Sequence, residues 1–232
     1  MSFCLSPTAP EIVWVACSDG NVYRVNWTSG EGAGYSWKTS STGCIYMTVA
    51  SMESLDRKRD IVLTTEAKGD MWRITANELT APDSTIKTDA KTIYTSKDRI
   101  RYLKTAAAGS AIVAVSGNKI IVGGLQSTDY GTVDKIKYGF HIFETVDAVA
   151  SLDVRATRRT GSKDNKKLQR TPIVDVVVGD VRGTIFVHDD LLANLQSWGG
   201  KPVTTPNPRK LHWHRQAVNA VKWSKDGMSP LG

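Results

Sequence analysis

Six basic residues follow Arg155 within fifteen positions, namely Arg158, Arg159, Lys163, Lys166, Lys167 and Arg170, and Asp164 is the one acid among them. Basic side chains at that density neutralise phosphates and release condensed counterions, which gives sequence-tolerant binding to nucleic acid that falls steeply with salt. Gly161, Ser162 and Asn165 interrupt the run, so it reads as a flexible insertion between two strands. A solvated loop that only keeps the protein soluble has the same composition. A second cluster, Arg57, Lys58 and Arg59, stands in the corresponding position ahead of Ile61. Two such loops on one rim make one electropositive patch. Across the chain 30 Lys and Arg face 23 Asp and Glu, a net charge of +7. Arg99 and Arg101 alternate, which reads as the solvent side of a strand rather than as a third patch.

Other chemistry is less well supplied. His212 and His214 would share one side of a strand, but no Cys, Asp or Glu nearby completes a metal ligand set. His188-Asp189-Asp190 sits at a strand end, where Asp commonly caps a turn. Gly179-Asp180-Val181-Arg182-Gly183 lacks the Lys-Ser/Thr of a phosphate cradle and reads as a turn. Nothing assembles a nucleophile, a base and an oxyanion site, so no catalytic residue and no cofactor is expected. The seven tryptophans could stack on single-stranded bases. Trp14, Trp27, Trp37, Trp72, Trp213 and Trp223 fall at strand positions expected to be packed, and Trp198 is the one expected to be exposed.

The elements that position these groups repeat. Ile-Val opens a β-type run at Ile12, Ile61, Ile112 and Ile173, a period of roughly 50 to 60 residues that marks copied supersecondary structure. Each run breaks at a turn (Ser18-Asp19-Gly20, Lys68-Gly69-Asp70, Gly117-Asn118, Gly179 to Gly183) and resumes as a second apolar run, the pattern of a tight antiparallel hairpin. Tyr23, Trp72 and Phe186 stand three residues after the turn glycine, where neighbouring sheets would meet. Runs at 45–50, 100–105 and 149–154 would add an innermost strand, and runs at 35–38, 92–95, 140–145 and 210–213 an outer one. Four strands per unit predict an all-β propeller, with units at about 12–38, 45–95, 100–145 and 148–213 and the start of a further one at 217–227. A β-sandwich needs no such period.

On this pattern the chain enters on a hairpin with no inner strand before it and leaves on an inner strand with no hairpin after it. Either the last strand closes a four-bladed ring, or about four blades of a larger propeller are present. The Asp226-Gly227 turn favours the second reading, because Met228 to Gly232 is too short to supply the hairpin. No apolar run reaches the length of a membrane span, and the first residues lack a basic and an apolar region, so no membrane contact and no secretory leader are expected. Cys4, Cys17 and Cys44 are odd in number and scattered, which fits a reducing compartment and neither a disulfide framework nor a zinc site.

His212 to Gly227 resembles the opening of a WD40 repeat, in which a His precedes a Val-x-x-Val-x-aromatic-Ser-x-Asp-Gly strand. Gly179 to Asp189 is similar to the closing half of one. Leu211-His212-Trp213-His214 resembles, more narrowly, WD-repeat subunits of the UtpA (t-UTP) complex. The WD40 resemblance implies structural roles for His214, Asp226 and Asp189. No Trp-Asp dipeptide closes any repeat, so the hydrogen-bonded tetrad of the family is incomplete. The narrower resemblance implies a nucleolar, non-catalytic scaffold of the small-subunit processome, in a hetero-oligomeric assembly with other UtpA subunits. Its expected contacts are the 5′ external transcribed spacer of pre-rRNA and the U-three snoRNP. The basic residues Arg57, Lys58, Arg59 and Arg155 to Arg170 would then touch RNA. A WD40 adaptor of a ubiquitin ligase or trafficking coat, or a propeller hydrolase, are the alternative classes.

Overall fold

The computed structural model describes residues 2–38, 49–53, 60–79, 88–106, 109–125, 136–157, 173–191, 207–212, 214–224 and 230–231. Among them eighteen β-strands make up nearly all of the regular structure. The first sheet holds β1 (Ser2–Leu5), β2 (Ile12–Ala16), β3 (Asn21–Asn26) and β4 (Gly32–Lys38). The second holds β5 (Val49–Glu53), β6 (Asp60–Lys68), β7 (Met71–Leu79) and β8 (Thr88–Ser96). The third holds β9 (Ile100–Ala106), β10 (Ala111–Ser116), β11 (Lys119–Leu125) and β12 (Tyr138–Glu144). The fourth holds β13 (Val149–Thr157), β14 (Ile173–Asp180), β15 (Thr184–His188) and β16 (Arg209–His212). A two-stranded ribbon, β17 (Lys222–Trp223) with β18 (Pro230–Leu231), follows. Each four-stranded sheet is an antiparallel meander in sequence order, consistent with a propeller blade. The central hairpins turn on glycines at positive φ, Gly20, Gly69, Gly117 and Gly183, a conformation that a Cβ disfavours.

The sheets are held together by cores that lie between them. Ile12, Trp14, Ala16, Val22 and Trp37 of the first sheet meet Val62 of the second. Ile61, Leu63, Ile74 and Ala76 meet Ile100, Leu103, Ile112, Ala114 and Ile121 of the third. Ala111, Val113, Val115, Ile120 and Val122 meet Val174, Val176 and Val178 of the fourth. Val177, Ile185 and Val187 meet Val218 and Val221. Successive side chains of a strand point to opposite faces, so Ile112 and Ala114 of β10 serve one core while Val113 and Val115 serve the next. This explains why the Ile-Val runs are continuously apolar: both faces are buried. The first strands of successive sheets lie against one another, β1 on β5, β5 on β9, β9 on β13 and β13 on β17, as expected for innermost strands.

The face of the second sheet that carries Val62 is otherwise polar. The Glu66 carboxylate accepts from Arg73 Nε at 2.8 Å and Thr75 Oγ1 at 2.9 Å, and Asn77 Nδ2 donates to Thr64 Oγ1 and the Val62 carbonyl. Asp60 joins the two sheets, accepting from Trp14 Nε1 at 2.6 Å and Thr8 Oγ1 at 2.5 Å. Buried polar groups persist where they are hydrogen-bonded.

Several expectations from sequence are corrected. The first sheet does have a strand ahead of its hairpin: Ser2–Leu5 pairs with β2, Phe3 opposite Val15 and Leu5 opposite Val13, so this sheet has four strands of its own. Phe3 and Leu5 are 72% and 62% exposed, and a four-residue segment whose apolar members face outward carries no core signal. The innermost strand of the second sheet runs Val49–Glu53, beyond the expected 45–50, and 45–48 lie outside the described residues. The outer strand of the first sheet, expected at 35–38, begins earlier, at Gly32. β13 continues to Thr157, so Arg155 stands on a strand and not in the insertion. Residues 214–221 form no strand; Val218 N instead donates to the Asp180 carbonyl at 2.9 Å. In the stretch expected to be too short for a hairpin, Pro230–Leu231 forms one short strand that pairs with Lys222–Trp223. Trp27, expected to be packed, is 61% exposed.

Candidate functional site

Of the ten basic residues singled out as an RNA-binding set, Arg155 lies among the described residues. Arg57, Lys58, Arg59, Arg158, Arg159, Lys163, Lys166, Lys167 and Arg170 lie outside them. Their anchoring strands are described. The triplet belongs to the connection between β5 and β6, whose ends pair as Glu53 with Asp60. The longer run belongs to the connection between β13 and β14, whose ends pair as Thr157 with Ile173. Both link the first strand of a meander to its second, so the two are topologically equivalent.

Arg155 itself is committed within the protein. It stands opposite Asp175 in the β13–β14 register, its Nε donates to Asp175 Oδ2 at 2.8 Å, and its guanidinium lies 3.9 Å over the Trp223 ring. Asp175 Oδ1 also accepts from the Asp190 amide at 2.9 Å. A planar cation held by a carboxylate on one side and an aromatic face on the other ties the fourth sheet to the ribbon. Neighbouring Asp153 reinforces this, accepting from Lys222 Nζ at 3.3 Å and the Trp223 amide at 3.0 Å.

The WD-type positions are placed as follows. Asp189 is exposed and meets Arg209 through two bonds of 3.0 and 3.1 Å, His214 is exposed, and Asp226 lies outside the described residues. The residue that shapes the nearby turn is Asp180, whose Oδ1 accepts the amides of Arg182 at 2.9 Å and Thr184 at 2.7 Å. Asp at the first turn position and Gly at the fourth is the signature of a type I turn, so the signal for Asp180 was present in Asp180-Val181-Arg182-Gly183. Gly183 then lets the backbone of the 214–216 segment approach: a Cβ there would stand 2.1 Å from the His214 carbonyl oxygen.

His188 is a buried group. It is 3% exposed, neither ring nitrogen has a hydrogen-bond partner among the described residues, and its ring centroid is 6.3 Å from that of Phe143. Burial pushes its pKa down to about 4, against a smaller upward pull from Asp189, so the ring is neutral at pH 7.

The first strands of the sheets bring together unlike charges. Burial is the main cause that lowers the pKa of Lys104 on β9; Lys222 on β17 adds to it, and Asp153 on β13 and Cys4 on β1 oppose it. Among the described residues no group of three or more His, Cys, Asp or Glu is placed to hold a metal ion, and no helix is long and apolar enough to cross a membrane. No protein-family model matches the chain, and no curated protein matches it.

Proposed function

We propose that this chain is a WD40-like β-propeller segment acting as a non-catalytic scaffold of early small-subunit ribosome assembly. It would be a counterpart of the UtpA subunit Utp-seventeen, called WD-repeat protein seventy-five in animals. In this reading it is a nucleolar subunit of the small-subunit processome that holds neighbouring UtpA proteins through sheet faces and rims. Its basic connections hold the 5′ external transcribed spacer, close to the U-three snoRNP.

The observation that supports the reading best is the succession of four-stranded meanders with an apolar core between each neighbouring pair. Such stacking leaves rims and loops, not a walled pocket, as the working surface. The ribbon β17–β18 stands against the fourth sheet where a fifth would begin, which favours a propeller of more than four sheets over a closed four-bladed ring. The charge excess of +7 and the equivalent roots of the two basic connections favour one electropositive rim.

In-cell RNA crosslinking with identification of co-isolated proteins tests this directly. Recovery of pre-rRNA with processome proteins is the expected result; recovery of ubiquitin-ligase or coat components without RNA means an adaptor of another assembly. A narrower measurement addresses the longer basic connection. Replacing Lys163, Lys166 and Lys167 by Glu removes two units of charge at each position and takes the net charge from +7 to +1. Affinity for single-stranded RNA is expected to fall at least about tenfold, and the slope of log affinity against log salt to shrink by about 2. The melting temperature should change little, because none of the three belongs to a described strand or core, and charges outside such features contribute little to stability. Unchanged crosslinking in that variant removes this connection from the RNA path.

A further inference from the structure

We infer that the exposed Trp27 indole, with Glu11 and Glu31 beside it, is a docking site for an arginine-bearing segment of a partner protein. Among the tryptophans whose side chains are described, Trp14 and Trp37 are buried in the first core and pack edge to face. Trp72 packs against the second core, and Trp223 lies under Arg155. Trp27 differs in being largely exposed, yet it is held at two points. Its Nε1 donates to the Pro10 carbonyl at 2.9 Å and its amide donates to the Glu11 carbonyl at 3.0 Å. The turn that carries it is braced by Asn26, whose Oδ1 accepts the amides of Thr28 and Ser29. An indole fixed by its polar edge offers aromatic surface at low cost in side-chain entropy. The space over the turn is open as well, since a Cβ on Gly30 would meet nothing within 4 Å.

The charge around the indole selects the occupant. Trp27 opens the connection at 27–31 between β3 and β4, and Glu11 ends the one at 6–11 between β1 and β2. These two connections carry Glu11 and Glu31 and no Lys or Arg, in a chain whose net charge is +7. Backbone bonds fix both acids beside the indole: Glu11 through the Trp27 amide, and Glu31 through its carbonyl, which accepts from the Asn26 amide at 3.1 Å. Both acids are exposed, and among the described residues neither carboxylate has an ion-pair partner. Such a surface repels phosphate and attracts a cation. Arginine suits it better than lysine, because a planar guanidinium stacks on an aromatic face and pairs with a carboxylate at the same time. The fourth sheet holds that arrangement in complete form, with the Arg155 guanidinium 3.9 Å over the Trp223 ring and its Nε on the Asp175 carboxylate. At Trp27 the indole and the acids are in place, and the partner brings the cation.

The test is fluorescence anisotropy of a labelled peptide of arginines spaced by glycine and serine. It is titrated with the whole chain, with Trp27→Ala, with Trp27→Phe and with the double variant Glu11→Gln, Glu31→Gln. The same peptide with lysine for arginine and an unstructured RNA oligonucleotide are the comparison probes. Trp27→Ala should bind the arginine peptide about tenfold more weakly than the parent. Trp27→Phe, which keeps a π face but loses the N–H bond to Pro10, should fall between the two. The double variant, which leaves the indole untouched, should lose about fivefold at low salt and approach the parent at high salt, because exposed ion pairs are screened. The lysine peptide should bind the parent more weakly than the arginine peptide. Equal binding by parent and Trp27→Ala overturns the assignment, as does a parent that does not bind the arginine peptide. Equal losses in Trp27→Ala and Trp27→Phe overturn it as well, since anchoring of the connection and not the aromatic face would then be responsible. Full affinity in the double variant overturns the choice of a cation. A Trp27 dependence found with the RNA and not with the peptide would make the indole a base platform and overturn it too.

Discussion

Replacing Gly183 by Ala is expected to destabilise the fourth sheet and the segment that crosses it by about 3 kcal/mol. Two costs combine. At φ of 90° an L side chain is strained by roughly 1 kcal/mol or more. In addition the new Cβ would stand 2.1 Å from the His214 carbonyl oxygen, 2.6 Å from its carbon and 2.9 Å from the Gln216 carbonyl oxygen. These are backbone atoms that cannot rotate aside as a side chain can. Overpacking of this kind costs about 1 to 3 kcal/mol, and relief requires 214–216 to lift. Lifting would loosen the Val218 amide from Asp180 and the Ser151 hydroxyl from the Val218 carbonyl. Val218 and Val221 would lose their cover over Val177, Ile185 and Val187. Gly69→Ala is the control, since its φ of 59° meets the strain but nothing lies within 4 Å of a Cβ; it should cost about 1 kcal/mol. Urea unfolding midpoints compare the two. Similar midpoints for both variants would show that the 214–216 segment does not rest on Gly183.

The second large effect depends on pH. His188 is neutral in the folded protein because burial lowers its pKa from 6.5 to about 4. Above pH 6.5 the ring is neutral in both folded and unfolded chains, and its burial carries no proton-linked cost. As the pH falls from 6.5 toward 4 the unfolded chain takes up a proton that the folded chain refuses, so stability declines across that window. The full decline attributable to this residue is about 3 kcal/mol. His141, whose pKa burial also lowers, acts in the same direction, so the decisive quantity is the difference between the parent and His188→Leu. The variant's stability should be flatter between pH 6.5 and 4. Parallel pH profiles would exonerate His188.

How much of this could be read from the sequence differs by element, for physical reasons. The hairpins around Gly20, Gly69, Gly117 and Gly183 were legible because a run of β-branched residues ending at glycine carries both a propensity and a backbone signal. Trp72 and Phe186, three residues past the turn, do pack against neighbouring cores as expected, whereas Tyr23 turns back to donate to Asp19. β1 was not legible, since its apolar side chains face solvent. The extension of β13 through Arg155 was hidden because charge argued for a loop, and only the facing Asp175 makes that charge compatible with a strand. Asp60 directly follows three basic residues, and nothing local marks it as a strand residue. Its role as acceptor for Trp14 depends on a partner 46 positions away, which no local pattern reveals. The exposure of Trp27 is likewise a matter of what does not cover it.

The alternation of β10 and β14 between two cores has a consequence for how the protein tolerates change. A substitution at Val113 disturbs the boundary with the fourth sheet, yet any backbone shift it forces moves Ile112 and Ala114 in the boundary with the second. The middle of the array is therefore doubly constrained, and compensating exchanges there have to be made in concert on three sheets. Among the described residues the first sheet meets the second through Ile12, Trp14 and Ala16, and Phe3 and Leu5 lie exposed on its opposite face. Sequence drift should accordingly be slow at the third sheet, a constraint set by packing geometry and independent of what the rims bind.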